Sequence, residues 1–375
     1  MVKPARRLFL SCSSRYRVMV GVGGIGSGVF FALEGDHTLG RNESRPARML
    51  DVRDYCKLHI VAHYVSVLLA AHPSGAPFLV MPIGRVGDDS IGVRLLEEMK
   101  QAGINTRFVD AVKGTPTLLS VCFQYPDGMG GNITTSESAA ATLSAEDVDR
   151  AVSVMASGDK NFVALSVPEV PLRVRQHFLQ KATEHGALRV ASFTSSEIPT
   201  ARESGMLGMV DILNLNQDEA QALTGVPFDA SNPEPLLRAC RPESIAMGQD
   251  GRVILSVGQE GAFALQGKSE DYCPAAEVPV VSTAGAGDAL LAGVIAGLLA
   301  GLPFISPGPQ RRRMSDRPLS SALDLGCLLA GFSVTSPHTI HPDADLEILL
   351  AFAGRTGISL APPFLQRVRR AEAEA

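Results

Sequence analysis

Short apolar runs alternate along the chain with stretches whose apolar residues recur every three or four positions. That rhythm predicts strands and helices in turn. Residues 18–22 form an apolar run that enters glycines, and 29–33 read as a second strand before a polar, turn-rich segment at 35–48. Residues 51–71 carry Val52, Tyr55, Leu58, Val61, Val65 and Leu68 at helical spacing. The next strand is expected at 78–84, a turn at 84–89, and a helix at 90–102 with Val93, Leu96, Met99 and Ala102 inward and Gly103 as its cap. Two β-like stretches, 117–124 and 132–136, flank a Pro126-Asp127-Gly128 hairpin turn. Ser144 opens a helix, with Asp147 placed as the far side of a capping box. Strands are then expected at 162–167, 188–193, 209–215 and 252–256, and helices at 173–185, 217–223 and 343–353. Residues 367–375 read as a frayed end. Strand and helix in turn, without tandem hairpins, predict a parallel sheet covered on both faces, which binds ligands at the carboxyl ends of its strands.

The chain has 375 residues, 45% of them hydrophobic, enough for one large α/β domain with an appendage. Its net charge of −5 gives nucleic-acid binding no support, and the Arg311-Arg312-Arg313 triplet lies in a Pro/Gly/Ser-rich stretch, 306–318, expected to be a solvated loop. The six cysteines show no CxxC spacing and read as reduced thiols of a cytoplasmic protein. The apolar run at 289–304 is shorter than the roughly 20 residues of a membrane span. Its Gly293, Gly297 and Gly301 point instead to close helix–sheet packing.

The chemistry concentrates in Ser282-Thr283-Ala284-Gly285-Ala286-Gly287-Asp288, a glycine turn that feeds a long apolar helix. Glycines let backbone N–H groups close on an anion, and a helix start offers unpaired N–H groups with a positive dipole end. A carboxylate one turn away, Asp288, can accept a proton from a hydroxyl that attacks a bound phosphate. The plain alternative is a glycine turn capping a buried helix. Gly21-x-Gly23-x-x-Gly26 matches the dinucleotide fingerprint in form, but 29–33 looks like a strand where that motif needs a helix. Cys56, His59 and His63 share one face of the helix expected at 51–71, where a helix–sheet contact or a substrate rim suits them better than a metal.

Three motifs together resemble the ribokinase-like, PfkB-type family of sugar and nucleoside kinases. They are Gly84-x-x-Gly87-Asp88-Asp89-x-x-Gly92, Asn216-x-x-Glu219-Ala220 leading to Thr224-Gly225, and the 282–288 turn preceded by Ser256-Val257-Gly258-x-x-Gly261. The resemblance spans about residues 17–345. It implies a ribokinase-like three-layer α/β fold with a central, mostly parallel sheet and a small β lid. It implies an ATP-dependent carbohydrate kinase that phosphorylates a hydroxyl of a sugar or sugar-like alcohol. Asp288 would be the general base, and the N–H groups of Gly285, Ala286 and Gly287 the anion hole. Asn216 and Glu219 would organise Mg²⁺ through water, and Ser256, Gly258 and Gly261 would line the nucleotide side. The domain would cover 17–355, with the lid from about 29–50 and 107–141, an extension at 1–16 and a tail at 356–375. A homodimer through the lid is a further expectation, and neither nucleic acid nor membrane is expected as a partner.

Departures from the family pattern bear on the substrate. Ser282 stands where an Asp usually helps hold a monovalent cation, so potassium activation is in doubt. The first strand supplies Ser27 and Gly28 in place of a sugar-gripping acid, and Gly-Gly-x-x-x-Asn is missing at the next helix. Asp54, Lys57 and His59 are placed to substitute, for a charged or unusual substrate. Two further readings stand beside the sugar kinase. One is a catalytically altered sugar- or nucleotide-binding protein on this fold, or a nucleoside kinase; the other is a nucleotide-cofactor oxidoreductase built on Gly21–Gly26.

Overall fold

The computed structural model describes residues 6–10, 16–127, 130–156, 161–247, 251–309 and 311–370. Cys12, Gly128 of the expected hairpin turn and the end of the tail at 371–375 lie outside the described residues. The strands are β1 (Arg6–Leu8), β2 (Tyr16–Val22), β3 (Gly26–Leu33), β4 (Ala47–Tyr55), β5 (Leu79–Gly87), β6 (Phe108–Val112), β7 (Leu118–Gln124) and β8 (Gly130–Thr134). They continue with β9 (Asn161–Ser166), β10 (Leu188–Ser192), β11 (Ile212–Leu215), β12 (Arg252–Ser256), β13 (Ala262–Gln266), β14 (Ser269–Cys273) and β15 (Val368–Arg370). The helices are α1 (Lys57–Leu69), α2 (Ser90–Gln101), α3 (Ala145–Ala156), α4 (Leu172–Glu184), α5 (Ile198–Glu203), α6 (Gln217–Thr224), α7 (Glu234–Ala246), α8 (Ala286–Leu299), α9 (Ala322–Ser333), α10 (Leu346–Arg355) and α11 (Pro362–Leu365).

A nine-stranded sheet runs β14-β13-β12-β11-β10-β9-β2-β5-β6, parallel from β12 to β6. Its strands alternate between two buried faces. Met19, Val163, Val190, Ile212 and Ile254 pack under α1, α8 and α9, while Val18, Val20, Phe162 and Ala164 pack under α3 and α4. Leu213, Leu215, Val253 and Leu255 continue the second face under α6 and α7. Both faces are thus buried, as near-continuous apolar strands require. A separate sheet, β4-β3-β7-β8, stands over the carboxyl ends as the small lid. It branches off where β2 passes through Gly23–Ile25 into β3, and it returns to the body where β4 ends against α1. This is the three-layer sheet with lid that the family resemblance implied.

Several local expectations are corrected. Residues 51–55 belong to strand β4, and the helix begins only at Lys57 with Cys56 as its cap. Apolar positions 52 and 55 satisfy strand and helix periods alike, so spacing could not separate them. Residues 84–87 extend β5 and are not a turn, and Asp89 caps α2 by accepting from the Gly92 N–H at 2.8 Å. In α2 the inward face is Gly92, Leu95 and Met99, and Val93 is 65% exposed. Residues 209–211 precede β11 rather than belonging to it. The expected absence of tandem hairpins fails at β12-β13-β14, which pair antiparallel. Gly293 and Gly297 serve helix–helix rather than helix–sheet contact: a Cβ on Gly293 would sit 2.7 Å from Gly326 Cα, and one on Gly297 2.9 Å from Ala322 Cα. Gly301 follows the helix with φ +86°. Arg311 is buried against Asp324 and donates to the Tyr272 carbonyl at 3.0 Å, so the triplet is solvated only at Arg312 and Arg313. Val368–Arg370 pairs with β1 rather than fraying. Asp147 accepts from the Ser144 N–H at 2.9 Å, its half of the expected capping box, and the Ser144 hydroxyl donates to the same oxygen at 3.2 Å.

Among the described residues no helix is long and apolar enough to cross a membrane. Cys56, Cys122, Cys273 and Cys327 carry free thiols.

Candidate active site

The turn before α8 has the geometry that its glycines foretell. Gly285 caps the helix at φ +80°, a conformation that disfavours any side chain, and a Cβ there would lie 2.6 Å from the Thr339 carbonyl oxygen. A Cβ on Gly287 would meet only the Ser256 hydroxyl, 4.0 Å away, so this backbone is open to a ligand. No side chain caps the helix. Among the described residues the N–H groups of Gly285, Gly287 and Asp288 find no acceptor, as the first turn of a helix dictates. The Ala286 N–H is different: it donates to the Thr283 carbonyl at 3.2 Å. Of the three N–H groups expected to form a cradle, two are therefore unengaged.

Asp288 is 7% exposed in the first turn of α8, and Lys57 Nζ lies 3.5 Å from its Oδ1. A cavity of about 830 Å³ opens in front of this pair. Asn216, Glu219, Ser256, Gly258 and Gly261 line the same cavity, so the sequence-predicted residues meet in one place. Strand β11 delivers Asn216 as the cap of α6. Its side chain accepts from the Glu219 N–H at 2.8 Å, and Glu219 accepts from the Asn216 N–H at 2.8 Å. This is a capping box, an ordinary role for an acid in the first turn of a helix. It occupies one carboxylate oxygen and leaves the side chain at the cavity wall. Ser256 ends β12, and Gly258 (φ +61°) and Gly261 (φ +102°) turn the chain beneath the cavity. No strand precedes the 282–288 turn; Val280 and Val281 lie in a loop, 60% and 58% exposed.

Two paired strand ends add donors that the sequence reading passed over. Ser192 on β10 and Asn214 on β11 are register neighbours, and both line the cavity. Ser192 Oγ and Asn214 Oδ1 are buried without a partner among the described residues. Buried polar atoms are nearly always paired, so an orphaned pair facing a cavity marks a place for a polar ligand. Among the described residues no cluster of three or more His, Cys, Asp or Glu could hold a metal directly. The oxygen-only donor set of Asn214, Asn216, Glu219 and Ser192 fits a hard, hydrated cation such as Mg²⁺, which keeps much of its water.

Glu169 is the residue the sequence reading missed most. It follows β9 in Pro168-Glu169-Val170-Pro171 and adopts φ +78°, one of two non-glycine residues in the left-handed region among those described. A non-glycine residue held there costs on the order of 1 kcal/mol, and such strain gathers at functional sites. Gly24 makes room for it, since a Cβ on Gly24 would fall 2.4 Å from Glu169 Cβ. Oε2 of Glu169 is buried and unpartnered. Burial pushes its carboxyl up to about 7 against the pull of Lys57 and the Cys56 thiol. Burial likewise pushes Asp54, on the lid strand β4, up to about 6, with Asp288 adding repulsion. Glu219 is raised by burial too. Lys57 is held charged well beyond its usual range, by Asp288 first and then Glu219 and Glu169. An acid between two prolines at a parallel strand's carboxyl end was the available signal for Glu169.

His59 does not join this cluster. Its ring is fully buried, with both nitrogens unpartnered, and it packs edge-on to Tyr55 at 4.6 Å. Burial holds it neutral, and it does not line the cavity as the substrate-rim expectation required. The Gly21–Gly26 fingerprint also fails, because β3 follows where a helix is needed, and Gly21 and Gly23 instead admit Leu58 and Val167.

A parallel sheet under a β lid, with an anion-ready helix start beside a buried carboxylate, has the parts that phosphoryl transfer needs. The profile of the pfkB family of carbohydrate kinases matches residues 67–345, and the chain belongs to that family. It is 27% identical over 270 residues to a deoxyribokinase of Salmonella typhi, covering 72% of this chain and 79% of that one. It is 27% identical over 272 residues to a 2-dehydro-3-deoxygluconokinase of Bacillus subtilis, covering 68% and 82%. Among solved structures it superposes on ribokinase of Cryptococcus neoformans in complex with ADP, with a TM-score of 0.67, 20% identity and coverage of 90% and 99%. Ribokinase of Arabidopsis thaliana complexed with ribose and ATP gives 0.65, 17%, 90% and 98%. The chain is thus a carbohydrate kinase by family, and the sugar-kinase expectation stands over the oxidoreductase one.

Proposed function

We propose that the protein transfers the γ-phosphoryl group of ATP to a hydroxyl of a sugar, with Asp288 as the base. The observation that carries this reading is one cavity holding the unengaged N–H groups of Gly285 and Gly287, the Asp288 carboxylate and the Asn216–Glu219 pair. Mg²⁺ and ATP supply the charge neutralisation and the phosphoryl group when bound. Asn216 and Glu219, with the orphaned Ser192 and Asn214, would hold a hydrated Mg²⁺ there. Ser256, Gly258 and Gly261 border the nucleotide. Asp288 accepts the proton of the attacking hydroxyl, and Lys57 steadies that carboxylate and faces the phosphates with a permanent charge. The N–H groups of Gly285 and Gly287 face the negative charge that builds on the transferred group. Glu169, strained into place, adds to the negative charge that keeps Lys57 protonated.

Asp288→Asn keeps the shape and removes the base. It should lower turnover by about 10²–10⁴-fold while a calorimetric titration with ATP stays nearly unchanged. Near-normal turnover would contradict the mechanism. Pairing of two lids belongs to the same reading: β8 forms an open sheet edge on which Ile133 is 69% exposed. Light scattering checks the oligomeric state.

A further inference from the structure

Arg175 on α4 is fully buried. A guanidinium taken out of water is costly, and an apolar side chain of similar volume in its place is often no less stable. Burial alone therefore gives this position no reason to be charged. What Arg175 holds is specific. Its Nε donates to the Ser166 hydroxyl at 3.3 Å and its Nη2 to the Ser192 carbonyl. Its Nη1 donates to Glu197 Oε2 at 2.8 Å, an oxygen that also accepts from the Thr194 N–H at 3.0 Å. Its Cζ lies 4.7 Å from the centre of the Phe193 ring. Ser166 is the last residue of β9 and Ser192 the last of β10, so the planar fork spans two neighbouring strand ends. The register of β10 with β9 ends with Ala191 opposite Ser166, and Ser192 has a paired neighbour on the β11 side alone, Asn214. Arg175 supplies the hold that β9 no longer gives. Ser192 and Asn214 line the cavity from these strand ends. The polar groups of Ser192 are divided: Arg175 takes the carbonyl, and the hydroxyl is buried without a partner among the described residues.

We infer that Arg175 is a positioning residue of the site: by clamping the carboxyl ends of β9 and β10 it sets the Ser192 hydroxyl at the cavity wall, where that hydroxyl is presented to the hydrated metal of a bound nucleotide. This rests on the kinase reading above. A donor whose backbone is already fixed gives up less freedom when a ligand arrives, and that saving appears as affinity. The plain alternative is a staple, in which Arg175 ties α4 to Glu197, the residue that precedes α5, and serves the fold alone. The two roles differ in one respect. A staple acts whether or not the Ser192 hydroxyl is present. A positioning residue loses its effect on nucleotide binding once that hydroxyl is gone, so the two substitutions are coupled.

The test is calorimetric titration of the full-length protein with a non-hydrolysable ATP analogue, with and without Mg²⁺. It compares wild type with Arg175→Met, Ser192→Ala and the double variant. Wild type should bind the analogue more tightly with Mg²⁺ than without. Each single variant should weaken binding with Mg²⁺ by about 2- to 10-fold, the worth of one hydrogen bond, and binding without Mg²⁺ far less. The double variant should lose no more than the more affected single one. Losses that multiply in the double variant, or that are equal with and without Mg²⁺, overturn the inference and leave the kinase reading intact. Unchanged binding in Arg175→Met, or wild-type binding that Mg²⁺ does not strengthen, overturns it likewise. Wild type that binds neither the analogue nor ADP under either condition sinks the kinase reading, and this inference with it. If a thermal scan shows that Arg175→Met does not fold, Arg175→Lys takes its place: it keeps the buried charge but cannot bridge Ser166 and Ser192 together. The same Mg²⁺-dependent loss, absent once Ser192 is alanine, is expected there, and wild-type affinity in Arg175→Lys refutes the clamp.

Discussion

Glu169 shows what a buried acid does to a fold before any ligand arrives. In the unfolded chain its carboxyl titrates near 4.5, and in the fold near 7. Between these values the folded protein binds more protons than the unfolded one, so stability falls as pH rises through that window. Asp54 adds the same sign between 3.8 and about 6. A change from 4.5 to about 7 corresponds to roughly 3 kcal/mol. Urea unfolding of the ligand-free protein at pH 5 and pH 7.5 should therefore show wild type losing stability relative to Glu169→Gln, which cannot ionise. Parallel pH dependence in the two proteins would refute the assignment. Lys57 acts on the same group in the opposite sense, by holding the carboxyl down. Lys57→Met should move the acidic limb of the kcat/KM profile to higher pH, because Glu169 and Glu219 then ionise later; a pH–rate series reads this directly. At this scale the sequence was uneven. Asp288 was legible because glycines and a helix start announce an anion site within one short stretch. Glu169 was not, because its meaning lies in a left-handed φ and in the empty space above Gly24, and neither is a local property of its neighbours.

Among the elements, α8 is the one whose aim matters, since its first turn carries the proposed base and the proposed anion donors. What holds it is contact with α9 through small residues. A Cβ on Gly326 would approach the Leu290 carbonyl oxygen to 2.6 Å, and one on Gly293 would approach Gly326 Cα to 2.7 Å. Backbone, not a flexible side chain, stands in the way. Gly326→Ala should destabilise the protein by about 1–3 kcal/mol despite alanine's better helix propensity, and it should lower turnover by tilting the head of α8. Thermal unfolding and steady-state kinetics on one preparation check both. A stable variant with unchanged turnover would show that α8 does not depend on this contact. The glycine spacing in α8 was visible in the sequence, but its partner was not. Residues 322–333 bear no motif that links them to 293, so the stripe was assigned to the sheet. The start of α1 was misplaced for a related reason: 51–55 fit both periods, and only pairing of β4 with β3 decides between them.

For the whole molecule the question is how lid and body communicate, and one route runs through a short segment, 338–339. The His338 ring nitrogen Nδ1 accepts from the Arg53 N–H at 3.0 Å. The Thr339 N–H donates to the Arg53 carbonyl at 3.2 Å, and its hydroxyl accepts from the Tyr55 N–H at 3.0 Å. The Thr339 carbonyl is the group against which Gly285 turns, at the head of the anion cradle. One residue therefore touches both the root of the lid strand that bears Asp54 and the turn proposed to receive the phosphoryl group. If the lid closes over an acceptor, its position is reported to the cradle through this backbone. Layers and strand alternation were readable from the order of apolar runs, and the lid from the family resemblance, whereas this junction joins residues more than 280 positions apart and leaves no pattern in either. Thr339→Val preserves shape and removes the hydroxyl. A single hydrogen bond is worth about 0.5–1.5 kcal/mol net, hence roughly 2- to 10-fold in an equilibrium. The acceptor KM should rise by that factor while ATP affinity, measured without acceptor, stays within error. Equal weakening of both ligands would mean that the substitution disturbs the cradle itself and that the lid is not separately latched.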